Sequence, residues 1–469
     1  MSEKIPIGNG FGWDGVIYAE LARNFYEETC VNQIDAYRVQ RLLPSLIVHF
    51  GLQGLNLERT NTNIIHGFGA LNVACLTLLA WCWCRIAKVM EFSTASKWLG
   101  FGGLFINFCV LKNTSYYPVL TDIPALAIGG AMVCCYLESR RTPLLILSAL
   151  GAFTWPTLIG QGVLLALFPR DPGRDRLVES APWRLNSIVA GLGSYYLVVA
   201  LAKIIQMIPA TVWTGITPIR SVILLSAAIA GFFVFQVSFR LLDRDWKLDV
   251  RRCFQLSFWT NAVIVLSMVF VVKGIQSKWA TNPTLLVPQN YALLIGIWAI
   301  AKPGVFYLAH IVYYGPLMIV AMYLWKPMSL HIREYGLGIT LMFLAGAFLT
   351  LDSESRHLIA FLPAVVTFVI KSAESLNWNA RQTGFLAVIS VLYSKCWLTM
   401  NVGPLSGNVL HWPDQRYLMN TGPYMSDATY LVQGVITIGI TIAIGIICVR
   451  RPTANFTTSV DSERLKPAA

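Results

Sequence analysis

The chain divides almost end to end into apolar runs joined by basic connectors, and that alternation leaves very few folds open to it. Runs at 64–87, 97–112, 118–137, 186–207, 218–240, 253–273, 304–325, 336–352, 357–373, 383–400 and 429–450 come near the ~20 residues that a helix needs to cross a bilayer. Two shorter runs, 142–153 and 154–169, are too brief for full crossings at about 1.5 Å rise per residue. They read as a hairpin of short helices broken near Trp155-Pro156. The run 290–301 stops at Lys302-Pro303-Gly304 and reads as a re-entrant or interfacial helix. With 55% hydrophobic and only 13% charged residues, the chain lacks the polar surface of a protein folded in water. The expected fold is all-α and polytopic, with about 11–13 transmembrane helices.

The connectors set the orientation. Arg85, Lys88 and Lys97, then Arg140 and Arg141, Arg170 to Arg184, Arg240 to Arg252, Lys326 and Arg333, Lys371 and Arg381, and Arg450 and Arg451 fall in alternate loops. By the positive-inside rule these loops are cytoplasmic. Residues 1–63 then form an extracytoplasmic first loop with interfacial helices, 64–450 the transmembrane domain, and 451–469 a polar, disordered cytoplasmic tail. Residues 1–15 have no apolar core and do not read as a cleavable signal. Either the N-terminal segment crosses with the first span or a further helix precedes it. The net charge of +12 is dispersed through short loops rather than gathered in a stripe, so nucleic acid is not an expected partner. Most of the ten cysteines lie inside apolar runs, and no Cys/His set has zinc-like spacing, so no metal or cofactor is expected.

Against this background a few ionisable residues fall on the opposite face: Asp14, Arg38, Arg41, Asp122, Lys203, Arg356 and Lys395. Charge near hydrocarbon is expensive and marks functional sites by default. Asp14 lies between Trp13 and Gly15, where an apolar neighbour favours a carboxylate that takes up a proton as general base. The alternative is a helix-capping turn residue. Asp122 enters a span one turn from its outer end, with Pro124 behind it, and reads as a second acid or as a cap. Asp352-Ser353-Glu354-Ser355-Arg356-His357 offers a guanidinium suited to a phosphate, or else a salt-bridged surface turn. Lys203 and Lys395 sit near outer helix ends, where snorkelling explains either one alone. The last outer loop, 403–428, contains Tyr424 and is long enough to form an acceptor-binding flap.

Several short motifs resemble bacterial integral membrane glycosyltransferases of the GT-C class. They are Trp13-Asp14-Gly15-Val16-Ile17-Tyr18, Tyr37-Arg38-Val39-Gln40-Arg41-Leu42-Leu43-Pro44, Leu120-Thr121-Asp122-Ile123-Pro124, Glu138-Ser139-Arg140-Arg141, and Ser355-Arg356-His357-Leu358-Ile359-Ala360-Phe361-Leu362-Pro363. The likeness covers residues 10–375. It departs from the class in having no helix before the Asp14 loop and no sizeable soluble C-terminal domain. The resemblance implies a GT-C-like fold, a polyprenyl-phosphate sugar donor, and an extracytoplasmic glycan, lipid or protein acceptor. It further implies a site facing away from the cytoplasm in a bacterial inner membrane. By position it makes Asp14 the catalytic base, Asp122 the second acid and Arg356 the partner of the lipid phosphate. Tyr18, Arg38, Arg41, Lys203, His357, Lys395 and Tyr424 complete the expected substrate-binding set. The rival reading is a transporter or flippase for a lipid-linked or anionic solute, since buried charge and broken helices occur there too. A non-catalytic scaffold accounts for neither Asp122 nor the long outer loop.

Overall fold

A computed structural model describes residues 5–32, 34–170, 188–199, 219–243, 251, 253–281, 288–398, 425 and 427–449. Lys203, Tyr424, most of the 403–428 loop and the 451–469 tail lie outside these residues. Among the described residues the chain is helical, and its one cross-strand pairing is an isolated bridge between Ile34 and Ala280.

The first segment supplies α1 (Trp13–Arg23), α2 (Ala36–Val39) and α3 (Leu42–Gly54). These are followed by the long α4 (Asn61–Val89), α5 (Thr94–Phe105), α6 (Asp122–Leu137), and the short pair α7 (Arg141–Gly151) and α8 (Pro156–Leu167). Next come α9 (Ile188–Val199), α10 (Ile223–Leu241), α11 (Leu256–Trp279), α12 (Pro288–Ile300) and α13 (Val305–Tyr314). The last group is α14 (Leu317–Tyr323), α15 (Trp325–Glu334), α16 (Leu337–Thr350), α17 (Leu362–Glu374), α18 (Ala380–Ser394) and α19 (Asp427–Ile444). Among the described residues five helical segments are long and apolar enough to cross a membrane, or up to seven if each bent pair counts as one span. The expected count of 11–13 is larger because several apolar runs, α6, α7, α8 and α16 among them, form helices of only 10–17 residues.

Breaks fall where backbone chemistry demands them. Trp155 is the N-cap of α8 with Pro156 inside its first turn, which gives the expected short hairpin. Lys302-Pro303-Gly304 bends α12 against α13 by 91°, with Gly304 in the left-handed region at φ +64°. The run 304–325, read from sequence as one span, is instead two helices. Gly315 adopts φ +87° and Pro316 has no N–H to continue the ladder, so α13 ends and α14 begins there. The run 97–112 is likewise bent, by 47° between α5 and Cys109–Tyr116.

Helix α6 is the hub. It is buried on nearly every side and packs on α4, α7, α17 and the 3-10 segment Ser355–Phe361. Its Gly129 allows that last contact: a Cβ there would stand 2.3 Å from the Ala360 carbonyl oxygen. Small residues at a helix interface let backbones approach, and here the approach carries Arg356 to the N-terminus of α6. Elsewhere the apolar surface faces outward, as with Phe270 of α11 at 81% exposure.

Direct contacts gather the basic connectors at one end. Arg170 donates to the Leu137 carbonyl and stacks on Tyr335. Arg333 pairs with Asp243 at 3.0 Å, and Lys371 donates to the Met90 carbonyl. Gln382 and Trp378 reach the carbonyls of Ile447 and Cys448. Connectors read from sequence as sharing a side are therefore joined to one another.

Candidate functional site

Away from the basic end, the first segment and the Ser355–Phe361 turn meet over the N-terminus of α6. Asp122 opens that helix with its side chain 3% exposed. Arg356 Nε donates to Asp122 Oδ1 at 2.9 Å and Nη2 to Oδ2 at 3.1 Å, a bidentate pair. The third nitrogen, Nη1, lies 3.9 Å from Glu354. Arg356 was expected to hold a lipid phosphate, but its fork is filled by protein carboxylate.

The turn carrying Arg356 is fixed from below. His310 Nε2 is 2.8 Å from the Thr350 carbonyl, which can only accept, so that nitrogen holds the proton. In the neutral ring Nδ1 then accepts from the Ser355 hydroxyl at 3.0 Å. Tyr314 donates to the Ser355 carbonyl. Beside it, His357 Nδ1 lies 2.5 Å from Oδ2 of the fully buried Asp352, whose Oδ1 accepts from the Glu354 N–H at 2.9 Å.

Arg41 shows the opposite electrostatics. It is 1% exposed, its guanidinium lies 4.3 Å from the Tyr37 ring centroid and 3.9 Å from that of Trp155, and its Nε has no hydrogen-bond partner. Among the described residues its hydrogen bond runs from Nη1 to the Tyr18 hydroxyl at 3.4 Å. Among the described residues no carboxylate pairs with it. Cation–π contact holds the group in place without neutralising it. Trp155 also packs on the His357 ring, with centroids 6.3 Å apart, which joins the two parts of the site.

Asp14 sits half-buried in the first turn of α1. The N-cap, Gly12, has φ +74°, and a Cβ there would fall 2.4 Å from the Tyr117 ring. Gly15 N–H donates to the Tyr117 hydroxyl at 3.0 Å. Glycine is needed on this path because the Tyr117 ring occupies the space of a side chain. The charges of Asp14 and Arg356 both act on Tyr117, and those of Asp14, Arg41 and Arg356 all act on Tyr18. One carboxylate, Asp14, and two guanidiniums, Arg41 and Arg356, therefore lie around this pair of phenols. Burial pushes the Tyr18 and Tyr37 phenols above their ordinary value, so both stay neutral donors.

The remaining expected residues divide. Lys395 is buried, with its ammonium 5.2 Å from the Phe108 ring, and Phe108 packs on Tyr313, which feels the charge of Asp122. Two aromatic rings, Phe108 and Tyr313, link it to the acid. Arg38 is not part of the cluster: it pairs with Asp35 at 2.8 Å on a half-exposed surface. Tyr37, Trp155 and Asp352 were quoted within motifs but given no part in the site. Tyr37 lies one helical turn before Arg41, a spacing that flags it. Trp155 was read only as a helix break and Asp352 only as part of the Arg356 turn.

Among the described residues no group of three or more His, Cys, Asp or Glu is placed to hold a metal ion. Family models, curated proteins and solved structures provide no match to the chain.

Proposed function

We propose that the protein is a membrane glycosyltransferase moving a hexosyl or pentosyl unit from a polyprenyl-phosphate carrier to an extracytoplasmic acceptor. Arg41 is the observation that carries this reading. It is a buried guanidinium with no carboxylate partner among the described residues, set near a half-buried carboxylate, Asp14, and above a neutralised pair, Asp122–Arg356. An uncompensated buried charge costs several kcal/mol, and a bound phosphate ester supplies the missing counter-charge.

In this scheme the acceptor hydroxyl gives its proton to Asp14 as its oxygen bonds to the anomeric carbon. The bond from that carbon to the carrier phosphate oxygen breaks, and the phosphate leaves with the electron pair. The charge that builds on it meets Arg41, and a single displacement inverts the anomeric centre. Asp122 serves to fix Arg356, and His357 with Asp352 lines the wall behind Trp155. The gathered basic connectors support an orientation with this site on the extracytoplasmic face of a bacterial inner membrane. The 91° bend at Lys302 favours the rival, a transporter, because broken helices are common there.

Purified protein supplied with a polyprenyl-phosphate hexose and an acceptor should release polyprenyl phosphate. Asp14→Asn should lower kcat by roughly 10²–10⁴ with donor affinity retained. Donor that equilibrates across vesicles without releasing carrier would establish the transporter instead. A folded Asp14→Asn protein with full turnover would remove the base from that position.

A further inference from the structure

A cavity of about 540 Å³ opens between α10, α13, α14, α15, α16 and α17, within the range of sites that enclose one drug-sized or lipid-chain ligand. Its walls are apolar through most of their length, and Phe232 and Met322 on its lip are exposed to the surroundings of the helices. Its two ends differ. Below the Arg356 turn, the polar groups of the lining are His310 and Tyr314, both committed to Ser355 and, for His310, to Thr350. At the other end lie Arg240 and Lys326. The described acids nearest them in sequence are already engaged: Asp243 with Arg333 at 3.0 Å and Glu334 with His331 at 2.9 Å. Among the described residues neither Arg240 nor Lys326 has a carboxylate partner.

We infer that this cavity is a binding site for one anionic phospholipid, with an acyl chain along the apolar walls and its phosphate between Arg240 and Lys326. The headgroup then sits at the end where the basic connectors gather. Basic pockets between helices on that side of a membrane suit anionic headgroups, and each cation near the surface favours such a lipid. Trp325, whose indole N–H is held by the Gln236 carbonyl, lies at the same level, as interfacial tryptophans do. The inference stands independently of sugar transfer. It separates a structural lipid at one end of the molecule from the reacting lipid proposed at the other.

The test is native mass spectrometry of the full chain released from detergent with added phosphatidylglycerol, phosphatidylcholine of the same acyl chains, inorganic phosphate or a polyprenyl phosphate. Phosphatidylglycerol should be retained over phosphatidylcholine by roughly tenfold or more. The rim variant Arg240→Gln/Lys326→Gln should bring it down to the phosphatidylcholine level, and Ala347→Trp, which fills the cavity, should lower retention of both. Equal retention of the two lipids, or unchanged retention in the rim variant, would overturn the inference. Displacement by inorganic phosphate alone would reduce the site to a surface anion contact. Displacement of phosphatidylglycerol by polyprenyl phosphate, in wild type and in Arg41→Gln alike, would give the cavity to the isoprenoid chain instead.

Discussion

The two ends of the molecule carry charge in different ways. At the basic end Arg85 and Arg140, their side chains 32% and 52% exposed, share Glu138 in pairs that keep access to water. Such pairs contribute little to stability; their work is to orient the chain and tie its connectors together. At the other end a buried Asp122 is paired with an Arg356 only 15% exposed, and Arg41 is buried between two rings with no carboxylate partner among the described residues. The basic end ties its connectors together, and the Asp122–Arg356–Arg41 cluster holds the consequential charges. What distinguishes a site in a chain of this kind is the state of compensation of each charge, and a count of charges misses it.

The largest expected effect tests that contrast directly. Asp122→Asn takes from Arg356, only 15% exposed, its bidentate partner and leaves Glu354 at 3.9 Å as its nearest acid, and should lower stability by up to about 3–5 kcal/mol, read as a fall in thermal unfolding midpoint in detergent. Glu138→Gln at the basic end should leave the midpoint nearly unmoved. The double replacement Asp122→Leu/Arg356→Met should recover most of the loss, since apolar side chains of similar volume often replace a buried pair without penalty. Equal effects of the two single changes would erase the distinction between the ends.

Arg41→Gln should behave in the opposite sense to Asp122→Asn. Folding should hold, because an uncompensated charge is removed, while affinity for polyprenyl phosphate should fall. One charged hydrogen bond is worth about 1.5–3 kcal/mol, or roughly tenfold to a hundredfold in Kd. Calorimetric titration of the folded variant decides the matter, and unchanged affinity would take the phosphate away from Arg41. Gly129→Ala should cost about 1–3 kcal/mol by pushing the Ser355–Phe361 turn off α6. Turnover should fall with it as Arg356 and His357 move.

The smallest effect is a pH dependence. Folding holds the Tyr18 and Tyr37 phenols above the ordinary value of 10.0, so the folded chain keeps protons that the unfolded chain has released. The stability involved is complete below pH 10, declines as pH rises above it, and is lost once the folded phenols themselves ionise. Tyr37→Phe should flatten that decline in thermal scans between pH 9 and 11, whereas equal slopes would mean that Tyr37 is not buried in solution.

The residues that punctuate the backbone were the most legible part of the sequence. Trp155-Pro156 and Lys302-Pro303-Gly304 announce their breaks because Pro and Gly act through their own covalent geometry. Gly315-Pro316 carries the same signal inside a run whose hydropathy masked it. The Asp122–Arg356 pair joins residues far apart in sequence, and the register that brings them together is set by Gly129 on Ala360, so neither residue alone reveals the other. Arg41 could be marked as a charge near the membrane, but that no described carboxylate pairs with it is a property of the assembled structure. Sequence named Asp14, Arg41, Asp122 and Arg356 together with Arg38, which pairs with Asp35 instead, and left open which of them were already neutralised.

Two lysines bear on residues 399–424. Lys112 donates to the Leu398 carbonyl at 2.7 Å, and the buried Lys302, itself paired with Asp427, donates to the Met425 carbonyl at 2.5 Å. Each margin of the segment is thus pinned to a different part of the helical frame by an ammonium–carbonyl contact. Replacing either lysine would release one margin and leave the other held, so the two anchors can be lost one at a time.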